Sequence, residues 1–200
     1  MSDIAAIVEG HGEVAALPIL LRRLSEWITP EVHVNVPTPI RVHRNRFLNR
    51  DAEFSRMLAL AAGKCGDDGW ILILLDADDD CPVELGSRIL ARAQDCVPHR
   101  RISVVLPNRE YEAWFIASAV SLDGFRGFSI DRLGVVNAEV PRDAKGWIGR
   151  QINGRSYSET TDQAAFSARM NLQQASDGSR SFRKLCSELQ KQVGLDIGYG

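Results

Sequence analysis

The sequence predicts an α/β fold in which helices flank a mainly parallel central sheet and a helical, basic C-terminal extension follows. Apolar strand candidates alternate with amphipathic helix candidates in the first part of the chain, an order typical of parallel sheets. The strands predicted at residues 4–8 and 71–75 are apolar throughout, which indicates burial on both faces. With 200 residues, 44% of them hydrophobic, the chain is long enough to form a sizeable core.

Each predicted element has its own local signal. Leu17, Leu20 and Leu21 are spaced for one apolar helix face, and alternating valines at 32–36 predict the second strand. The elements that follow are an exposed arginine-bearing loop at 40–50, a helix from Phe54 to near Gly63, the strand at 71–75, a helix from Pro82 to Gln94, a strand from Ile102 to Leu106 and a helix containing Tyr111, Trp114 and Phe115.

The strand signal fades after Leu122, so we divide the chain into a core at residues 1–120 and a helical, basic part at residues 121–200. In the second part, Phe182, Leu185 and Leu189 line one face of a late helix. The four cysteines have neither a CxxC motif nor metal-ligand spacing, which indicates reduced thiols.

The chain carries no membrane signal. No apolar run approaches the roughly 18 residues of a membrane span. Asp3, Glu9 and Glu13 stand where a signal peptide would be basic and then apolar. We therefore expect a cytoplasmic protein without a membrane partner. The sequence leaves the oligomeric state open.

The formal net charge of −2 conceals an uneven distribution of charge. Four aspartates lie within residues 76–80, whereas residues 41–50 are basic and contain no acid. Arginine outnumbers lysine 20 to 4, and its planar guanidinium group suits phosphate. An acidic centre with basic flanks fits metal ions surrounded by phosphates, although basic stretches also occur simply as solvated surface.

The acidic stretch after the strand at 71–75 is the strongest candidate for chemistry. Like charges this close together are unfavourable unless a cation neutralises them, and carboxylates suit Mg²⁺ or Mn²⁺. Alternation along an extended chain places Asp76, Asp78 and, if the strand continues, Asp80 on one side. Glu9 leaves the first strand at the same edge, so it meets Asp76 if the two strands are neighbours.

Two simpler interpretations compete for these aspartates. An EF-hand loop is excluded, because Cys81 stands where that loop needs glycine and Ser87 where it needs glutamate. A turn at a helix start explains one acid through the helix dipole but does not explain four.

Glu112 is predicted on an apolar helix face, where a carboxylate is costly unless it is paired or metal-bound. The alternative interpretation is an acid in the first turn of a helix, a position that the helix dipole favours.

Several motifs resemble known families. Glu9-Gly10 with Glu13 after the first strand, and Asp76 with Asp78 after a later one, resemble the Toprim domain of topoisomerases, bacterial primases and nucleases of the OLD (overcoming lysogenisation defect) family. The segment 108–115, reading NREYEAWF, together with Lys145, Tyr157, Asp162 and Ser181-Phe182, is similar to the Toprim-like family called domain of unknown function 4276.

The resemblance implies metal-assisted cleavage of phosphodiesters, that is, a nuclease or nicking enzyme that uses one or two Mg²⁺ or Mn²⁺ ions. By this resemblance Glu9, Asp76 and Asp78 are catalytic metal ligands, and Glu9 is also a candidate for proton transfer. Candidates for a second metal are Glu13, Asp80 and Glu112. OLD-type proteins join the nuclease to an ATPase, so the resemblance also implies a separate ATPase subunit and an anti-phage role.

Nucleic acid is the expected partner, and the candidates for binding it are basic or aromatic. Arginine and lysine contact phosphates, and tyrosine can stack on a base. These candidates are Arg44, Arg46, Lys145, Arg150, Arg155 and Tyr157. A C-terminal part that only covers the sheet explains the last four equally well.

Three other functions compete with the nuclease interpretation. A Mn²⁺-dependent glycosyltransferase also places an Asp-x-Asp motif after an apolar strand, but residues 9–13 do not resemble a uridine-binding strand and the chain is short for that fold. A haloacid-dehalogenase phosphatase fits less well, because Asp80 takes the place of the threonine or valine expected there. The third function is that of a non-enzymatic Toprim-like docking subunit.

Overall fold

The computed structural model describes residues 2–130 and 137–194. Within these ranges five parallel strands form one sheet in the order β2-β1-β4-β5, and β3 pairs with the carboxyl-terminal end of β1 beside β2. The strands are β1 (Ser2–Val8), β2 (Val34–Asn35), β3 (Ile40–Arg41), β4 (Trp70–Leu74) and β5 (Arg101–Val105).

Helices cover both faces of the sheet. The helices are α1 (His11–Ile28), α2 (Arg44–Asn49), α3 (Asp51–Cys65), α4 (Pro82–Cys96), α5 (Ala113–Ala117), α6 (Ala119–Leu122), α7 (Ala144–Gln151), α8 (Ala164–Arg169), α9 (Leu172–Gly178) and α10 (Arg180–Gly194). A 3₁₀ turn at Phe125–Gly127 and a π turn at Glu159–Gln163 lie between them. The predicted parallel α/β architecture with flanking helices is thereby confirmed.

Alternating side chains of the strands divide the core into two clusters. Ile4 and Leu72 point to one face, where α1 and the C-terminal helices pack. Ile71 and Ile73 point to the other face, against α3 and α4. This alternation explains why the middle strands are apolar at every position.

The helical C-terminal part shares the first of these clusters. The ring centroids of Trp114 and Phe182 are 5.3 Å apart, and those of Phe115 and Phe166 are 5.4 Å apart, both in edge-to-face geometry. Residues 131–136 and 195–200, which belong to the predicted C-terminal part, lie outside the described residues. Among the described residues no helix is long and apolar enough to cross a membrane.

The prediction of an exposed loop at residues 40–50 is wrong. This segment contains β3 and α2, and Phe47 is fully buried against Phe54 of α3, with ring centroids 4.7 Å apart. The arginines at 41, 44, 46 and 50 conceal a short amphipathic pattern. The second strand is also shorter than predicted, because β2 covers only Val34–Asn35.

The register of the sheet determines where the candidate site lies. Val8 of β1 pairs with Leu74 of β4, and Leu74 pairs with Val105 of β5. These three strands therefore end at the same level. The segments that follow them begin at one edge, as expected for polar groups at the carboxyl ends of parallel strands.

Candidate functional site

Four carboxylates gather at the carboxyl edge of the sheet, and we call Glu9, Glu13, Asp76 and Glu112 the acidic centre. β1 and β4 are neighbours, so Glu9 and Asp76 emerge side by side. Burial raises the pKa of Asp76 well above its usual range, and the charges of Glu13, Glu112 and Glu9 raise it further. The pKa of Glu9 is raised by burial and then by the nearby Asp78.

Glu13 has a structural role at the start of α1. Its side chain is only 3% exposed, and its Oε2 accepts hydrogen bonds from the backbone N–H groups of Glu9, at 3.1 Å, and Gly10, at 3.2 Å. This is one half of a capping box, which satisfies amides at the helix start. Burial nevertheless raises the pKa of Glu13 to about 7. The carboxyl group therefore serves the helix whether or not it also binds a metal.

Glu112 is the most deeply buried acid of the centre, with 1% of its surface exposed. It precedes α5, and its Oε1 accepts hydrogen bonds from the Tyr157 hydroxyl, at 2.9 Å, and from Gln163 Nε2, at 2.8 Å. Burial raises its pKa. The Oε2 atom is buried without a hydrogen-bond partner, so half of the carboxylate is left to accept another donor or a cation.

Gly12 explains how α1 approaches the π turn that carries Gln163. A methyl group at Gly12 would lie 2.1 Å from Gln163 Oε1 and 2.4 Å from the carbonyl oxygen of Glu159. Only a glycine fits between these atoms. The glycine after His11 therefore brings α1 close to the support of Glu112.

Asp76 links the ends of β4 and β5. Its Oδ1 accepts a hydrogen bond of 2.9 Å from the backbone N–H of Tyr111, which lies in the segment after β5. The same segment ends at Glu112, one residue further on. A single loop thus holds Asp76 in place and delivers Glu112 to the centre.

The predicted alternation of Asp76, Asp78 and Asp80 is wrong. β4 ends at Leu74, and the following residues form a turn in which Asp78 has a φ of 50°. Asp80 is exposed and forms an ion pair with Arg44, whose Nη1 also lies 3.6 Å from Asp78 Oδ2. Asp80 was a second-metal candidate by resemblance, and its side chain was expected beside Asp76 and Asp78 only if the strand continued. The turn removes that reason.

Two cationic side chains border the acidic centre. Arg44 and Lys145 both lower the pKa of Glu9, although burial and Asp78 outweigh them and the pKa is raised overall. Lys145 Nζ lies 3.0 Å from Glu159 Oε1. Although burial by itself lowers the pKa of Lys145, the carboxylates of Glu112 and Glu159 together raise it above its usual value. Lys145 was predicted only as a nucleic-acid contact, and the structure places it beside Glu112.

The other candidates for nucleic-acid binding are more dispersed. Arg46 is paired with Glu53 on α3 at 2.9 Å, and Arg150 lies 3.5 Å from Asp143 on the surface. Arg155 donates two hydrogen bonds to the buried Asp162, of 2.7 and 3.0 Å, which indicates a structural ion pair. Lys145, Arg155 and Tyr157 nevertheless share an open cleft of about 520 Å³ beside α7.

Several residues of the site were missed by the sequence prediction. Glu110 raises the pKa of Asp76 and accepts a hydrogen bond of 2.8 Å from the Lys145 backbone. It lies inside the NREYEAWF segment, which was a usable signal. Gln163 and Glu159 carried no signal, because their contact with α1 joins parts of the chain that are distant in sequence.

The donor set suits a hard cation, although it is not arranged as a formed site. Within residues 2–130 and 137–194, no three His, Cys, Asp or Glu side chains are grouped closely enough to hold a metal ion. Carboxylate oxygens are nevertheless the ligands of Mg²⁺ and Mn²⁺, and both Glu9 Oε2 and Glu112 Oε2 are buried without a partner. The residues therefore fit a divalent cation in their chemistry.

Fold and site together define a parallel α/β protein with buried carboxylates at the carboxyl edge of its sheet. Residues 8–190 match the family model described as "Domain of unknown function (DUF4276)", and the chain belongs to this family. No curated protein and no solved structure matched the chain.

Proposed function

We propose that this protein is a divalent-metal-dependent nuclease of the Toprim-like kind, which hydrolyses or nicks phosphodiester bonds of nucleic acid. The main support is the acidic centre, in which burial and neighbouring acids raise the pKa values of Glu9 and Asp76, and burial raises that of Glu112. In their ionised form, four mutually repelling carboxylates are unfavourable unless a cation joins them. Carboxylates whose pKa values are shifted by burial and by one another mark a candidate functional site.

Glu9, Asp76 and Glu112 would hold the cation, and Asp78 lies near enough to Glu9 to raise the pKa of Glu9. Glu13 borders the site but is engaged by the amides of Glu9 and Gly10. A bound Mg²⁺ or Mn²⁺ would supply a Lewis acid for the phosphoryl oxygen and a water of lowered pKa. Raised carboxylate pKa values then reflect the protein without its cation.

The remaining residues hold these carboxylates and the substrate in place. Tyr157 and Gln163 orient Glu112 by hydrogen bonds to one oxygen and leave the other free. Arg44 and Lys145 contribute positive charge beside the acids, which attracts the phosphate groups of a polyanion. Glu9 is the candidate for moving a proton, because it is half-buried and its Oε2 has no partner.

The proposal extends, by resemblance alone, to a cytoplasmic protein that works with a separate ATPase subunit in phage defence. Non-enzymatic docking remains the main alternative, because Arg44 already pairs with Asp78 and Asp80. A glycosyltransferase is less well supported, since it leaves Glu9 and Glu112 without a role.

The experiment is a cleavage assay with labelled DNA and RNA in Mn²⁺ or Mg²⁺, using Glu9→Gln and the wild type. The matched control is Asp68→Asn, an exposed acid before β4 at the opposite edge of the sheet. We expect the wild type and the control to cleave, and chelator to abolish this cleavage. Glu9→Gln should reduce the cleavage rate by at least about a hundredfold. Cleavage by Glu9→Gln at the wild-type rate would exclude the acidic centre as the active site.

A further inference from the structure

Two loops at the carboxyl edge are fastened to each other by residues in an unusual conformation. Asp78, after β4, has a φ of 50°, and Arg109, after β5, has a φ of 73°. The N–H of Asp78 donates to the carbonyl oxygen of Arg109 at 3.1 Å, and Arg109 Nη1 donates to the carbonyl oxygen of Asp78 at 2.8 Å. Left-handed conformations of non-glycine residues are unfavourable and concentrate at functional sites.

The guanidinium group of Arg109 is thereby fixed at the edge, and a second arginine joins it. Arg109 Nη1 donates to Asp79 Oδ1 at 2.6 Å, and Arg142 Nη2 donates to the same oxygen. Arg142 comes from the segment before α7, so two distant parts of the chain converge on one carboxylate oxygen. We call Arg109 and Arg142 the arginine pair, and Asp79 lies between their guanidinium groups.

The arginine pair has more donors than Asp79 uses. Arg109 Nε is buried without a hydrogen-bond partner, and the side chain of Arg142 is 73% exposed. Asp79 is itself 69% exposed, so its side chain can turn away into water. A phosphate group offers more acceptor oxygens than a carboxylate and suits the fork of an arginine.

We propose that Arg109 and Arg142 form a phosphate-binding site that Asp79 occupies in place of a phosphate, so that a nucleic-acid backbone must displace Asp79 to bind there. Neither arginine was among the predicted contacts. The loop that carries Arg109 also holds Asp76 through the Tyr111 amide, so a phosphate on the pair lies beside the acidic centre. The nucleic-acid ligand rests on the proposed nuclease function, whereas the displacement of Asp79 does not.

The test measures binding of fluorescein-labelled DNA and RNA oligonucleotides by anisotropy, in chelator and over a range of KCl concentrations. Asp79→Asn should bind about two- to fivefold more tightly than the wild type, because the phosphate then no longer has to displace a carboxylate from the two arginines, and an exposed ion pair contributes little. Asp68→Asn makes the same change of charge at the opposite edge and should gain less. Arg142→Gln should bind more weakly and lower the slope of log affinity against log salt by about 0.7–0.9.

The combined variant separates displacement from general electrostatics. In an Arg109→Gln, Arg142→Gln background, Asp79→Asn should gain no more than Asp68→Asn does in that background. The proposal would be overturned if Asp79→Asn and Asp68→Asn raised the affinity equally when both arginines are present. It would also be overturned if Asp79→Asn kept its full gain in affinity without the arginines, or if no variant bound the oligonucleotides. Oligonucleotides with and without a 5′-phosphate distinguish the backbone from a terminal phosphate.

Cleavage assays on the same variants keep the two proposals apart. Metal-dependent cleavage by the wild type without a specific gain from Asp79→Asn would reject the displacement and keep the nuclease. A specific gain in binding without cleavage by any variant would reject the nuclease and keep the phosphate site.

Discussion

Glu13 carries out a structural task at a position where its charge is unfavourable. It accepts two backbone hydrogen bonds at the start of α1, yet burial raises its pKa from 4.5 to about 7. A raised carboxyl pKa means that the folded state binds the proton more tightly than the unfolded state does. The stability from this group is therefore complete below pH 4.5 and is lost as pH rises through 7.

We expect the free energy of unfolding of the metal-free protein to include a contribution that decreases between about pH 4.5 and pH 7. A change in pKa from 4.5 to about 7 corresponds to about 3 kcal/mol. Glu13→Gln keeps an oxygen acceptor for the cap but removes the proton-binding group. Urea unfolding at several pH values should show a flatter dependence for Glu13→Gln. Identical slopes for the variant and the wild type would show that Glu13 does not titrate in this range.

Asp76→Asn distinguishes an acidic group kept for function from one kept for stability. The variant should lose metal-dependent cleavage, because it removes a carboxylate from the acidic centre. In chelator its melting temperature should equal or exceed that of the wild type, because repulsion from Glu9, Glu13 and Glu112 is relieved. Asparagine can still accept from the Tyr111 amide. A clear drop in melting temperature, with Asp68→Asn unchanged, would instead indicate a structural role.

At the scale of residues, part of the candidate site could be predicted from the sequence. Glu9 and Asp76 follow buried strands, and parallel strands bring such residues to one edge, so their proximity was predictable. The behaviour of Asp78 and Asp80 was not, because a turn after β4 replaces the expected extended chain. The support of Glu112 by Gln163 depends on a contact distant in sequence, for which no local pattern exists.

At the scale of elements, the approach of α1 to the π turn depends on Gly12. Gly12→Ala would place a methyl group against Gln163 and the Glu159 carbonyl, so we expect a loss of about 1–3 kcal/mol in the free energy of unfolding. The matched control is Gly63→Ala in α3, where no atom lies within 4 Å of the added carbon. The control should gain about 0.5–1 kcal/mol through helix propensity.

Denaturant unfolding of both variants tests this contrast. If Gly12→Ala were as stable as Gly63→Ala, α1 would not be held against the turn that carries Gln163. Gly12→Ala should also weaken cleavage, because it displaces Gln163, which orients Glu112.

Elements with strong periodicity were predicted well, and short ones were not. The helices α1, α3 and α4 follow apolar patterns of helical period, and the buried strands β1 and β4 are continuous apolar runs. β3 and α2 are only two and six residues long, and they depend on burying Ile40 and Phe47 in the second cluster. Tertiary packing therefore determines whether these two elements form, and the local sequence does not.

At the scale of the whole molecule, the helices after Leu122 complete the core of the sheet. Phe182, Leu185 and Leu189 are fully buried in the cluster that includes Ile4 and Leu72. We expect one cooperative unfolding transition for the full chain, with coincident midpoints by tryptophan fluorescence and circular dichroism. Two separate transitions would show that residues 121–200 fold as an independent unit.

Phe182→Ala should lower the free energy of unfolding by about 3–5 kcal/mol, because a large buried ring is removed from that shared cluster. Val83→Ala changes an exposed side chain of α4 and should alter stability by less than about 0.5 kcal/mol. Chemical denaturation measures both. A loss below about 1 kcal/mol for Phe182→Ala would contradict the shared core.

The central claim is that the acidic centre binds a divalent cation, and calorimetric titration with Mn²⁺ tests it most directly. The titration compares the wild type with Glu9→Ala, Asp76→Asn and the control Asp68→Asn at a pH above the value of about 7 to which burial raises the pKa of Glu13. We expect binding by the wild type and the control, and a loss of at least about tenfold in affinity for the other two. Absence of Mn²⁺ binding by the wild type, or equal affinity for all four proteins, would contradict the claim.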